Sequence, residues 1–154
     1  MFMTSHVRFR RFFAPALIAF SVAGLGLGCG DDDDIDEPDV QTIRLVVGTG
    51  AAAATYNIDL STPLAVPIVI GRTATPVTAT FLRANGDVET LVTATEFELR
   101  FDGLNPAIAT FARTGAFTGT LTGVAVGTDA VTVQLFHTVE AHADFERSIN
   151  LQVN

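Results

Sequence analysis

Apolar and polar residues alternate in five stretches of the chain. Ile43, Leu45 and Val47 alternate with Thr42, Arg44 and Val46, and Val77, Ala79 and Phe81 with Thr78, Thr80 and Leu82. Phe97, Leu99 and Phe101 are flanked by Glu96, Glu98, Arg100 and Asp102. Val131, Val133 and Leu135 alternate with Thr132, Gln134 and Phe136, and Ile149, Leu151 and Val153 with Ser148, Asn150, Gln152 and Asn154. A period of two places one set of side chains in a core and the other towards solvent, which is the signature of a half-buried strand. Turn signals separate the runs: Asn85-Gly86-Asp87, Asp102-Gly103, Asn105-Pro106, Thr114-Gly115 and Gly127-Thr128-Asp129. Asn-Gly between β-rich runs marks a hairpin, because the central residues of the tight turn need positive φ. Ala51–Ala54 is too short to nucleate a helix, and no helix is expected beyond residue 40. Short strands punctuated this regularly predict an all-β, antiparallel sandwich. Residues 40–154 are enough for one domain.

The first 39 residues follow a different pattern. Arg8, Arg10 and Arg11 are the only charges before residue 31, and the run Phe12–Gly28 is apolar. Its 17 residues fall short of the roughly 20 that a transmembrane helix needs. Basic arm, apolar run and small residues read as a secretory signal over 1–28. The run ends in Leu25-Gly26-Leu27-Gly28-Cys29, and Cys29 is the only cysteine. This arrangement resembles the signal of a bacterial lipoprotein, although Gly26 stands where such signals usually carry Leu. The resemblance implies cleavage before Cys29 and lipidation of its thiol. Arg10-Arg11 followed by Phe13 has some likeness to a twin-arginine export signal.

Gly30 and the stretch 31–39 (DDDDIDEPD) follow the cysteine. Seven carboxylates with one isoleucine and one proline cannot bury surface, and their mutual repulsion extends the chain. Residues 29–39 are therefore expected to form a disordered acidic linker. A loose Ca²⁺ site or a surface-sorting tag are alternative readings of the same run, though it lacks the glycine turn and ligand spacing of a Ca²⁺ loop.

Charge narrows the partners. Beyond residue 28 the chain has 6 arginines, no lysine and 17 acidic residues, a net −11. Most of that acidity lies in the linker; residues 40–154 carry 6 arginines against 10 acids, a net −4. A nucleic-acid surface needs a basic face, and this composition excludes one. A single cysteine excludes an intramolecular disulfide, so the exported domain must rest on its core.

Candidate chemistry is sparse. Ser61 and Ser148, with His137 and His142, have no nucleophile-elbow context, and no phosphate loop is present. No catalytic residue and no cofactor are expected. The richest polar cluster is His137-Thr138-Val139-Glu140-Ala141-His142-Ala143-Asp144. Glu140, His142 and Asp144 alternate and would share one face of a strand, and His137 would join them across a hairpin. Such a set can hold Zn²⁺ or Ca²⁺. The plainer reading is a polar loop joining the last two strands.

Residues 105–133 carry a second resemblance. Asn105-Pro106-Ala107-Ile108-Ala109-Thr110-Phe111 is followed by Gly119-Thr120-Leu121-Thr122-Gly123-Val124-Ala125-Val126-Gly127-Thr128-Asp129 and the run into Val133. This resembles the bacterial immunoglobulin-like domain of group 2, with a looser match over 66–153. The family's tryptophan four residues before the Asn-Pro is Phe101 here. In that frame Ile108 and Phe111 are core anchors, Gly123 and Gly127 bracket a tight connection, and 112–118 adds length to one hairpin. Residues 41–67 exceed the family's first strand and are expected to add a hairpin through Tyr56–Leu60. The resemblances together imply a non-enzymatic, lipid-anchored protein of the cell envelope. It would sit at the outer membrane, facing the periplasm or the surface, as an interaction or adhesion module with a protein or glycan partner. A carbohydrate- or metal-binding module using residues 137–144 is the alternative.

Overall fold

A computed structural model describes residues 37–60 and 67–154. The described residues belong to one compact unit, Ile35–Asn154. The expected signal peptide, Cys29 and the expected acidic linker up to residue 36 lie outside the described residues. Among the described residues no helix is long and apolar enough to cross a membrane.

The described residues are all-β. Their strands are β1 (Thr42–Val47), β2 (Ala54–Asp59), β3 (Ile68–Ile70), β4 (Thr75–Leu82), β5 (Phe97–Asp102), β6 (Ala109–Gly115), β7 (Thr118–Gly123), β8 (Gly127–His137) and β9 (His142–Val153). One sheet has the order β2-β1-β4-β7-β6 and the other β3-β9-β8-β5. Removing β2 and β3 leaves β1-β4-β7-β6 facing β9-β8-β5. That is the four-plus-three strand order of an immunoglobulin sandwich, whose sheets are ABED and CFG. Four inward residues of the alternating runs, Ile43, Leu99, Val133 and Leu151, are almost wholly buried, and the core draws on both sheets.

Two strands depart from the plain pattern. β1 and β2 form the extra hairpin expected from the long N-terminal segment, with Thr42 opposite Asp59. β3 pairs with β9 in parallel, Ile68 opposite Leu151, so the sandwich is not antiparallel throughout. Nothing in period-two alternation reports strand direction.

The faces of two residues also reverse the simple reading. Leu82 and Glu98 fall on the polar side of their alternating runs, yet both are buried. Leu82 closes β4 with a bridge to Val88. Glu98 sits at the edge strand β5 and pairs with Arg100 Nε at 2.6 Å and with Arg113 of β6, the edge strand of the other sheet. Arg100 in turn lies over the Phe136 ring, 3.3 Å from its centroid. Two arginines thus satisfy a buried carboxylate, and the open side of the sandwich is drawn shut. The β6–β7 connection helps: Leu99 N–H donates to Ala116 O at 2.7 Å and Ala79 N–H to Phe117 O at 2.9 Å. That connection is a two-residue turn with a bulge between Arg113 and Gly115. The extra residues of 112–118 therefore lengthen the strands rather than the loop.

The segment behind the family resemblance is physically coupled. Asn105 Oδ1 accepts from Ala107 N–H at 3.0 Å, and Asn105 N–H donates to Asp129 Oδ2 at 2.7 Å. Ile108 and Phe111 are half-buried and pack against the core. A Cβ on Gly123 would meet Val153 Cγ1 at 2.4 Å and Gly71 O at 2.7 Å, so only glycine fits where β7 leaves its sheet.

The strand register gives the sandwich two ends. At the proximal end, where the described chain begins, lie residues 37–41, the loop 83–96 and the turn 138–141. The connections 48–53, 71–74, 103–108 and 124–126 lie at the distal end.

Candidate functional site

Two turns carry the polar residues of the proximal end. The first follows β4. Gly86 adopts φ +86°, Arg83 N–H donates to Asp87 O at 2.9 Å, and Asn85 Oδ1 accepts from Asp87 N–H at 3.0 Å. This turn brings Arg83 back beside Glu89. Arg83 donates from Nε to Glu89 Oε2 at 2.8 Å and from Nη2 to Oε1 at 2.7 Å. Glu89 is 2 % exposed and also accepts backbone N–H bonds from Asp39 at 3.1 Å and Leu91 at 3.0 Å. The hydrogen bonds from Arg83 hold the Glu89 carboxyl at about 2, below its ordinary 4.5 and against the opposing effect of burial. A buried, four-bonded carboxylate of this kind is a staple: it pins residue 39 to the domain.

The second turn joins β8 to β9 and brings the predicted ligand set together. His137 and His142 are cross-strand partners, and Ala141 N–H donates to His137 O at 2.9 Å. Ala141 adopts φ +59°, a left-handed conformation unfavourable for a residue with a Cβ. Leu135 pairs with Phe145, Phe136 with Ala143 and His137 with His142, which leaves Asp144 as an extra residue in a β-bulge. The bulge matters because cross-strand partners share a face. His137 lies two residues from Leu135 on β8, but His142 lies three from Phe145 on β9. Only an inserted residue permits that odd step, so Asp144 itself brings both imidazoles to one side of the sheet. Simple alternation of Glu140, His142 and Asp144 is thus not the device; Glu140 sits in the turn and Asp144 in the bulge.

The donors of His137, His142 and Asp144 all lie within 4.8 Å of one another. His142 Nε2 is 2.8 Å from Asp144 Oδ1. The two are nevertheless not aligned as a hydrogen bond, and Oδ1 is buried with no hydrogen-bond partner. Burial pushes the Asp144 carboxyl above its ordinary 3.8, and the neighbouring imidazoles only partly oppose this. Glu140 Oε2 stands 3.4 Å from His137 Nδ1 and 3.5 Å from His142 Nδ1. His137 is stacked on Phe97, centroids 4.6 Å apart, which fixes its ring plane. The group opens into a cleft of about 300 Å³ whose other walls include Glu37, Pro38, Leu91 and Glu96.

All four candidate ligands of the sequence therefore meet at one place. Three features escaped sequence reasoning: the Arg83–Glu89 staple, the bulge at Asp144, and the place of Glu37 in the wall of the histidine cleft. Opposite charges placed either side of Asn85-Gly86 were a usable signal for the first. The other two depend on register and on a cleft whose walls lie about a hundred residues apart in sequence, and the chain carries no local mark of either. No protein-family model, no curated protein and no solved structure matches the chain, so its function is read from its own residues.

Proposed function

We propose that the chain is a non-enzymatic, lipid-anchored protein of the cell envelope whose immunoglobulin-like domain, of the bacterial group 2 kind, serves as an interaction or adhesion module. The observation that carries this reading is the sequence Leu25-Gly26-Leu27-Gly28-Cys29, placed after a basic arm and an apolar run and before four aspartates. Cleavage there would leave Cys29 as the first residue, with acyl chains as the hold on the outer membrane. Stable anchoring takes two such chains or more, since each buried CH₂ contributes roughly 0.8 kcal/mol. The acidic run 31–36 would then act as a spacer between lipid and domain.

Two features of the sandwich support that use. The staple at Glu89 grips the backbone of Asp39, so a pull on the linker is received by the folded domain rather than by a loose end. The distal end carries Val124 and Val126, exposed at 43 % and 69 %, beside the 103–108 loop. Exposed valines at the end farthest from residue 37 are where a protein or glycan partner would first be met.

Mass spectrometry of the membrane fraction tests the anchor. The expected result is an N-terminal peptide that begins at acylated Cys29, and Cys29→Ser should abolish it. An intact Met1 leader on the membrane-bound protein would overturn the reading. Protease shaving of whole cells then separates a surface-facing domain, which is cut, from a periplasmic one, which is spared.

A further inference from the structure

The geometry points to a Zn²⁺ site at the proximal end, formed by His137, His142 and Asp144 with the two imidazoles oriented by Glu140. It is independent of the anchor. The donor set argues for the metal. Two imidazole nitrogens and one carboxylate oxygen are a zinc-type combination, whereas Ca²⁺ and Mg²⁺ take oxygen ligands. Three protein ligands leave the fourth tetrahedral position open for a water, and all three line one cleft.

The spacing is close to what Zn²⁺ needs. Zinc–ligand bonds of about 2.0 to 2.1 Å in a tetrahedron place donor atoms about 3.3 Å apart. The donors of this group lie within 4.8 Å of one another, and one pair, His142 Nε2 and Asp144 Oδ1, is at 2.8 Å. The side chain of His142 is 53 % exposed, so it has room to adjust towards a shared metal, while stacking on Phe97 holds His137 in place. The misaligned approach of His142 to Asp144 also fits: two ligands of one metal aim their lone pairs at a shared point rather than at each other. Asp144 Oδ1, buried without a hydrogen-bond partner, is the atom that a cation would satisfy.

Glu140 supplies the remaining part. A metal-bound histidine commonly donates its other ring N–H to a carboxylate, which fixes the tautomer. One oxygen of Glu140 lies within 3.5 Å of Nδ1 of both histidines. It therefore favours N–H at both Nδ1 positions and leaves both Nε2 atoms for the metal. Glu140 is a positioning residue, not a ligand.

The test uses the full chain in detergent, stripped with a chelator and titrated with Zn²⁺ by calorimetry. Co²⁺ is used as a spectroscopic probe of the coordination geometry. One Zn²⁺ per chain is expected at micromolar concentration, with a tetrahedral Co²⁺ spectrum. His142→Ala and Asp144→Asn should each weaken Zn²⁺ by more than about 100-fold, because loss of an orienting partner alone costs 10- to 100-fold. Glu140→Gln should fall within that smaller range. Circular dichroism of the metal-free variants confirms that they fold, and His142→Ala, which alters an exposed side chain, is the safest of them. His6→Ala removes the histidine of the leader and Cys29→Ser the lone cysteine, and both should leave binding unchanged. Absence of binding, binding that survives His142→Ala and Asp144→Asn, or binding lost with His6 or Cys29 would each overturn the assignment. Tighter binding of Ca²⁺ than of Zn²⁺ would do the same.

Discussion

The two turns at the proximal end solve the same problem in opposite ways. Each reverses the chain beside a largely buried carboxylate. After β4 the turn uses glycine where φ is +86°, and Glu89 collects two bonds from Arg83 and two from backbone N–H groups. Between β8 and β9 the turn places alanine at φ +59°, and Asp144 Oδ1 has no hydrogen-bond partner. The titration of the two acids follows. Arg83 draws Glu89 down to about 2, while burial drives Asp144 up. A satisfied turn is what folding alone selects. A strained turn with an unsatisfied carboxylate and two imidazoles is what a site selects, because local rules are broken where a ligand compensates.

The sharpest way to break this contrast is to remove Glu89. Glu89→Ala leaves the N–H groups of Asp39 and Leu91 without their acceptor, at about 1 kcal/mol each, and forfeits the bidentate pair. A loss of about 2 to 3 kcal/mol in urea denaturation is expected. The same residue sets the acid limb of stability. Its folded value lies below its ordinary 4.5, so its contribution is complete above pH 4.5 and is lost as pH falls through about 2. Asp144 has the reverse sign: its carboxyl is raised on folding, so ionising it opposes the fold and acid relieves that cost. Glu89→Gln should therefore flatten the loss of stability between pH 4.5 and 2 measured by denaturation, while Asp144→Asn should not. Equal effects of the two substitutions would dissolve the distinction.

Exchanging the turn chemistry is a smaller perturbation. Gly86→Ala forces a Cβ into a left-handed conformation and should cost about 1 kcal/mol. Ala141→Gly relieves the same strain in the other turn and should raise stability by about 0.5 to 1 kcal/mol, after the entropy that glycine gives up. Opposite signs from chemically opposite substitutions, read from thermal melts of the metal-free protein, would show that the second turn is held in a less stable form than its sequence could adopt.

Much of the fold was legible because burial on one face of a strand writes itself as period two. Val131-Val133-Leu135 and Ile149-Leu151-Val153 could be read directly, since their inward residues are almost wholly buried. The same rule misplaced Leu82 and Glu98. Leu82 lies where β4 runs out and a bridge to Val88 covers it, and Glu98 is covered by arginines from two different strands. Alternation assigns faces within one sheet; it does not report what the neighbouring sheet brings across. The parallel pairing of β3 with β9 was hidden for another reason: alternation carries no information on strand direction. At the candidate site, the meeting of His137 and His142 was legible from a short turn between two strands. The bulge was not, because Asp144 fits a regular alternation as well as an insertion until the partner strand is known.

The smallest expected effect is the most discriminating for the second turn. His142 is half-exposed, and its contact with Asp144 lacks hydrogen-bond alignment, so it contributes little to the metal-free fold. His142→Ala should change the stability of the chelator-treated protein by no more than about 0.5 kcal/mol, as for other exposed positions. The same substitution made alongside Glu89→Ala should add nothing beyond the single effect, since the two sites share no hydrogen bond and belong to different turns. If His142→Ala instead costs as much as the loss of Glu89, the imidazole is a structural strut like the staple. The two turns would then differ in composition but not in purpose. A near-zero cost leaves a histidine, a bulged aspartate and a left-handed alanine that stability does not explain, and binding is the remaining physical account of why they stand together.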